Sequence, residues 1–271
     1  MLDETLSTMF ANEFDRTLSL EPLDDRSFAV ELDESWASLV GVHGGYMAAG
    51  MTRAAEAVAP GRAVRTATTS FLRPGAVGAA RLDVDIVRSG RSFTNIVVSL
   101  VQAERLVCSS RITASACATG PEWRAQVTDR PAPIEQCVAF TPPPMIRHFE
   151  QARLVIDPTT IPDALADFAR VAGHVQPLES RPIDAAWLVM IGDWFPPSPF
   201  RRLQPPAGGV SLDYTVHIHR LPSHVGAATW LEGVFTAADS SGGIALERGV
   251  LSTPDGVAVA ETFHTRYTGG R

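Results

Sequence analysis

Two stretches decide the fold: Gly45-Tyr-Met-Ala-Ala-Gly-Met-Thr-Arg-Ala-Ala-Glu-Ala-Val58, and downstream of it Arg81-Leu-Asp-Val-Asp-Ile-Val-Arg88. In the first, Met47, Ala48, Met51, Ala54, Ala55 and Val58 recur at the spacing of one helix face. Small or apolar side chains occupy nearly the whole circumference, so the pattern predicts a helix enclosed by other elements. Ala59-Pro60-Gly61 ends it. In the second stretch Leu82, Val84 and Ile86 point one way while Asp83 and Asp85 point the other, the period of a strand. Strands are predicted again over 95–102 and 106–114, joined by Ala103-Glu104-Arg105. Such close succession implies antiparallel hairpins.

The second half repeats that order. Residues 182–194 read as a strongly apolar helix stopped by Pro196-Pro197, and strands are expected over 210–220, 229–236, 244–252 and 257–267. Pro254-Asp255-Gly256 is the turn between the last two. Laying Leu82 on Leu231 brings Ser89-Gly90 near Ser240 and Glu104 near Asp255-Gly256, so the economical reading is one unit used twice. The predicted class is α+β: two antiparallel sheets, each wrapping one buried helix, paired within the chain as a built-in dimer. The expected boundaries are 1–120 for the first unit, 121–144 for a proline-rich linker and 145–271 for the second unit.

Composition narrows the function. With 271 residues, 45% of them apolar and 20% charged, the chain can bury a full core, which excludes wholesale disorder. The 23 basic groups against 30 acidic ones leave a net charge of −7 with no basic tract, which argues against a nucleic-acid partner. Every basic residue is arginine, so a Schiff-base or phosphate-loop lysine is impossible. No window approaches the roughly eighteen apolar residues of a membrane span, and the acidic start Met1-Leu-Asp-Glu lacks the features of a secretory leader. A cytoplasmic protein is expected, with Cys108, Cys117 and Cys137 as reduced filler.

Common catalytic motifs are missing, and what stands out is polar residues where apolar ones are the rule. His43-Gly44-Gly45-Tyr46 opens the first helix, where unpaired N–H groups and the helix dipole suit a substrate carbonyl. Tight helix packing, with His43 as a cap, explains the same residues equally well. In Ser211-Leu-Asp-Tyr-Thr-Val-His-Ile-His219, period two sets Asp213, Thr215, His217 and His219 on one face. An acid embedded in a strand fits a general base, a metal ligand beside the histidines, or a solvated face. Thr236, Asp239, Ser240 and His264 form a later polar set.

These segments resemble the acyl-CoA thioesterase II family. The first half carries Gly44-Gly45, Ser70-Phe-Leu-Arg-Pro-Gly75 and Val87-Arg-Ser-Gly-Arg-Ser-Phe93; the second carries Ser211-Leu-Asp213, His219-Arg220 and Asp255-Gly-Val-Ala-Val-Ala260. The resemblance implies a double hotdog fold and hydrolysis of fatty acyl-CoA or related thioesters; general-base hydrolysis without cofactor or metal is the expected chemistry. In that family an aspartate, a hydroxyl residue and a glutamine hold the attacking water. The aspartate falls on Asp213, the glutamine's place is taken by His264, and the hydroxyl's place falls at Ala238 beside Thr236 and Ser240. The expected catalytic set is therefore Asp213, His264 and Thr236, with His43, Gly44, Gly45 and Tyr46 binding the substrate. A homodimer or higher homo-oligomer is expected. The departures at Ala238 and His264 keep open a double hotdog protein that binds acyl-CoA or lipid without hydrolysing it.

Overall fold

The structure, a computed structural model, describes residues 13–116, 120–124, 126–162, 165–179, 181–203, 209–220 and 230–269. Cys117 lies outside the described residues. The first half runs α1 (Glu13–Thr17), β1 (Glu21–Pro22), β2 (Ser27–Leu32), α2 (Gly44–Val58), β3 (Ala63–Phe71), β4 (Gly78–Ser89), β5 (Phe93–Gln102) and β6 (Arg105–Ser115). The second runs β7 (Val138–Ala139), β8 (Ala152–Ile156), β9 (Ala169–Pro177), α3 (Ala185–Ile191), β10 (Val210–Ile218), β11 (Leu231–Ser241), β12 (Ile244–Ser252) and β13 (Ala258–Tyr267). No helix among the described residues is long and apolar enough to cross a membrane.

The expectation of two sheets is corrected: the strands form one 13-stranded sheet, ordered β1-β2-β4-β5-β6-β3-β10-β13-β12-β11-β9-β8-β7. The halves join where β3 pairs antiparallel with β10, from Ser70 opposite Asp213 to Thr66 opposite His217. Each half alone would expose that strand's N–H and C=O groups, and pairing the two edges satisfies them. Alternation within a strand reports its faces but not its neighbour, which is why the sequence left this seam invisible. The internal repeat is plain in the topology. β2-α2-β3-β4-β5-β6 folds into the spatial order β2-β4-β5-β6-β3, and β9-α3-β10-β11-β12-β13 into β9-β11-β12-β13-β10.

Local chemistry sets the boundaries. Ala103 and Glu104, at φ of 48° and 55°, make the two-residue turn between β5 and β6; its left-handed backbone matches the twist of the paired strands. The second helix is shorter than the expected 182–194. Asp184 caps its start by accepting the Trp187 N–H at 2.8 Å. At its far end Tyr214 donates its hydroxyl hydrogen to the Val189 carbonyl at 2.7 Å, and the chain turns away at Gly192. Asp193 is thereby released from the helix.

The two helices pack directly on each other, and α2 also rests on β3, β4, β5 and β6. Gly45 makes this contact possible: a Cβ there would lie 2.6 Å from the Met190 carbonyl oxygen. Around the pair, the Trp36 ring stacks on Tyr46 at 4.5 Å, and Phe14 from α1 meets the edges of Trp36 and Trp187. Arg53 and Arg181 both bridge Asp15 to Asp184, tying α1 and α2 to the start of α3. Segment 121–144 is fastened to the second half. Arg130 pairs with the buried Glu232, Ala132 donates its N–H to Asp157, and β7 pairs with β8.

Two predictions follow from this packing. Gly45→Ala is expected to lower stability by about 2 kcal/mol, because the helices must separate to admit a methyl group; urea unfolding with an unchanged midpoint contradicts it. Glu56, half-buried on α2 and near Asp184, has its carboxyl pushed up to about 7 by burial and then by that neighbouring charge. The folded state then holds a proton that the unfolded state has released, so ionising Glu56 removes stability as pH rises from about 4.5 to about 7. Relative to wild type, Glu56→Gln is expected to gain on the order of 2 kcal/mol across that window. A stability difference that stays constant from pH 5 to 8 refutes this.

Candidate active site

Asp213 stands on β10 at the seam, between Ser70 of β3 and Thr265 of β13. A bulge between Ser211 and Asp213 resets the alternation there. Ser211 consequently bonds inward to Arg266, while Asp213 turns outward and is half-buried. Thr265 donates its hydroxyl hydrogen to Asp213 Oδ1 at 3.0 Å. A further hydroxyl pair, Thr215 and Thr68 at 3.2 Å, lies on the same face. Leu212, Leu246, Phe263 and Tyr267 are exposed on the strands around it.

His264 is not beside Asp213. It pairs with Tyr214, the next residue along β10, and therefore faces the opposite side of the sheet. There it is fully buried, stacked on the Tyr214 ring at 4.2 Å, with Nε2 3.0 Å from Asp193 Oδ1 and Nδ1 3.6 Å from Glu247 Oε1. Thr236 shares the outward face with Asp213 but lies three strands away, at roughly 14 Å for a strand spacing of ~4.8 Å. The three expected catalytic residues thus do not converge.

The helix start is engaged from within. His43 caps α2, its Nδ1 accepting the Tyr46 N–H at 3.2 Å while Nε2 lies 2.9 Å from the Asp193 carbonyl oxygen. The Gly45 N–H donates to Asp193 Oδ2 at 3.0 Å. Among the described residues, only the Gly44 N–H of these three amides has no acceptor. Tyr46 is wholly buried and gives its hydroxyl hydrogen to the Thr17 carbonyl. Of the expected substrate-binding group, His43, Gly45 and Tyr46 are thus occupied by the protein itself.

What binds this region together is a buried charge network. Arg266 donates through Nε to Glu247 Oε1 at 2.7 Å, through Nη2 to Asp193 Oδ1 at 3.2 Å and through Nη1 to Ser211 Oγ at 3.0 Å. Glu247 also accepts the Ser198 N–H at 2.6 Å. Burial alone would raise the Asp193 carboxyl, yet the hydrogen bond from His264, with His43 and Arg266 close by, holds it well below the usual range. Burial likewise opposes ionisation of Glu247, and Arg266, His264 and the Ser198 hydrogen bond together outweigh it. Burial pushes His43 and His264 down, against the pull of the Asp193 carboxylate beside both.

Asp193, Glu247 and Arg266 escaped the sequence reading. A signal existed, since Glu247 and Arg266 occupy inward positions of adjacent strands where alternation demands apolar residues. Their partnership became legible only with the register of β12 and β13.

Helices packed back to back against a single antiparallel sheet, in two halves of like topology, define a hotdog protein. The family model of the acyl-CoA thioesterase N-terminal domain matches residues 32–119, and that of the C-terminal domain matches residues 119–267. The chain belongs to the acyl-CoA thioesterase family, of the thioesterase II type, and is a thioester-hydrolysing enzyme. A hot dog fold protein of unknown function from Alicyclobacillus acidocaldarius superposes with a TM-score of 0.87 at 22% identity, covering 96% of this chain and 99% of the other. An acyl-CoA thioesterase II from Mycobacterium marinum superposes with a TM-score of 0.76 at 20% identity, covering 95% and 98%. A search of curated proteins found no match to this sequence.

The buried network is expected to be structural. Asp193→Asn leaves Arg266 and Gly45 with a weaker partner in a site closed to water, at a cost of about 3 kcal/mol. Asp213→Asn, half-exposed and holding one hydroxyl, is expected to cost under about 1 kcal/mol. Urea unfolding of both variants checks this ordering, and equal losses overturn it.

Proposed function

We propose that the chain hydrolyses acyl-CoA thioesters, with Asp213 activating the water, on two hotdog units (1–120 and 145–271) joined by segment 121–144. One observation carries the choice of base. The Asp193 carboxylate is engaged by Gly45, His264 and Arg266 and shut away from solvent, whereas Asp213, on the open face, keeps Oδ2 without a donor among the described residues. A general base needs a free lone pair within reach of the water. Asp213 has one, and Thr265 fixes its orientation through the other oxygen.

In this reading Oδ2 takes a proton from water as the hydroxide oxygen attacks the thioester carbonyl carbon. Collapse of the tetrahedral intermediate breaks the carbon–sulfur bond, and the proton passes to the departing thiolate. Ser70, directly across the strand pair, supplies a hydroxyl for the far side of the water. His264 acts as part of the internal network rather than on the water, and Thr236 lies too far away to take part. The exposed side chains of Leu246, Phe263 and Tyr267 around the site fit self-association as a homodimer or higher homo-oligomer.

The test is thiol release from a panel of acyl-CoAs, short to long. Asp213→Asn is expected to lower kcat by about 10²- to 10⁴-fold while leaving the unfolding midpoint close to wild type. An unchanged rate refutes the assignment of the base. Binding of every acyl-CoA without thiol release by the wild type favours the non-hydrolysing alternative.

A further inference from the structure

A cavity of about 390 Å³ lies at the far edge of the second half, between β8 and the segment reaching it from β7. That volume falls within the range of small-molecule sites. Its walls are Phe140, Phe149 and Trp230 with Ala139 and Leu154, and the two phenylalanine rings meet edge to face at 4.9 Å. One charged residue, Arg153, lines it. Every other arginine that lines or touches a cluster described above is matched to a carboxylate or a carbonyl. The Arg153 guanidinium, by contrast, has no hydrogen-bond or ion-pair partner among the described residues.

Three aromatic walls and a lone guanidinium specify a ligand with an apolar body and a single anionic head. A guanidinium accepts a carboxylate through two parallel N–H bonds, and the aromatic surface takes a chain or ring. Seen along the sheet, β8 is separated from β10 by β9, β11, β12 and β13, so this cavity is not the Asp213 site. We infer that it is a separate binding site for an apolar monocarboxylate, the class of acid that thioester hydrolysis releases. Its identity as product rests on the proposed hydrolysis; the ligand chemistry does not.

The cavity is also placed to be felt at the centre of the molecule. Phe149, on its wall, lies 4.2 Å from the His148 ring, and His148 stacks at 4.2 Å on His43, the cap of α2. Trp194 contacts all three rings. A ligand that shifts Phe149 therefore presses on the packing beneath the helix start.

Isothermal titration with octanoate, 3-phenylpropanoate, octan-1-ol and free coenzyme A tests the inference on wild type, Ala139→Trp, Arg153→Gln and Asp213→Asn. Both carboxylates are expected to bind wild type and Asp213→Asn alike, and octan-1-ol about tenfold more weakly. Coenzyme A, anionic but lacking an apolar tail, is not expected to compete. Ala139 is exposed, so Ala139→Trp fills the cavity without entering the core; it is expected to abolish binding while thiol release stays at the wild-type rate. Arg153→Gln is expected to lose about tenfold for the carboxylates and nothing for the alcohol. Absent binding to wild type, equal affinity for acid and alcohol, or unaltered binding by Ala139→Trp each overturns the site. Carboxylate binding that persists in a protein releasing no thiol leaves the site standing and removes the product assignment alone.

Discussion

The Asp193 carboxylate holds the two halves of the molecule in one arrangement. It leaves the end of α3 and meets the start of α2, where it accepts the Gly45 N–H and sits against His43. A helix start favours negative charge, because its first amides have no partners within the helix. The charge comes here from the other half of the chain, so capping one helix also docks it on its counterpart. Gly45 is the necessary complement, since any side chain there would strike the Met190 carbonyl. The electrostatic contact and the steric one thus select the same helix pairing.

A buried carboxylate is costly unless its oxygens are satisfied. Arg266 and His264 answer it from β13, and Arg266 then requires Glu247 from β12. The two carboxylates share the one guanidinium, and the backbone N–H groups of Gly45 and Ser198 meet their other oxygens. A group so fully engaged has little left for substrate. That saturation separates the inner face, where polar residues join the halves, from the outer face, where Asp213 keeps a free oxygen. The division depends on the pleat: Asp213 and Tyr214 are consecutive, and one residue decides whether a side chain meets solvent or the helices.

The same logic orders the family resemblance. Motifs read along the chain set Asp213 and His264 together, because the family's aspartate and glutamine fall on those positions. The register in this chain puts them on opposite faces, with His264 recruited into the Asp193 network. His43-Gly44-Gly45-Tyr46 follows the same course. Of the two readings the sequence left open, tight packing with His43 as a cap extends even to Gly44, where a Cβ would lie 3.1 Å from Asp193 Oδ2 and from the Phe71 ring, although among the described residues its amide has no acceptor.

Much of the architecture was legible beforehand. Apolar spacing located α2, alternation located β4, the strands β5 and β12 were expected over 95–102 and 244–252, and the turn residues at Ala103-Glu104 and Pro254-Asp255-Gly256 marked the hairpins. Those features are local, since each depends on residues within one turn or one strand, so the sequence by itself determined them along with the repeat of the whole unit. Only the tertiary structure decided that β3 and β10 fuse the halves into one sheet, that Asp193 reaches Gly45, and that Arg266 finds Glu247. These contacts join residues far apart in the chain, and their geometry follows from strand register and helix docking. A one-residue difference in register would exchange inner and outer faces, which no periodicity along a single strand can reveal.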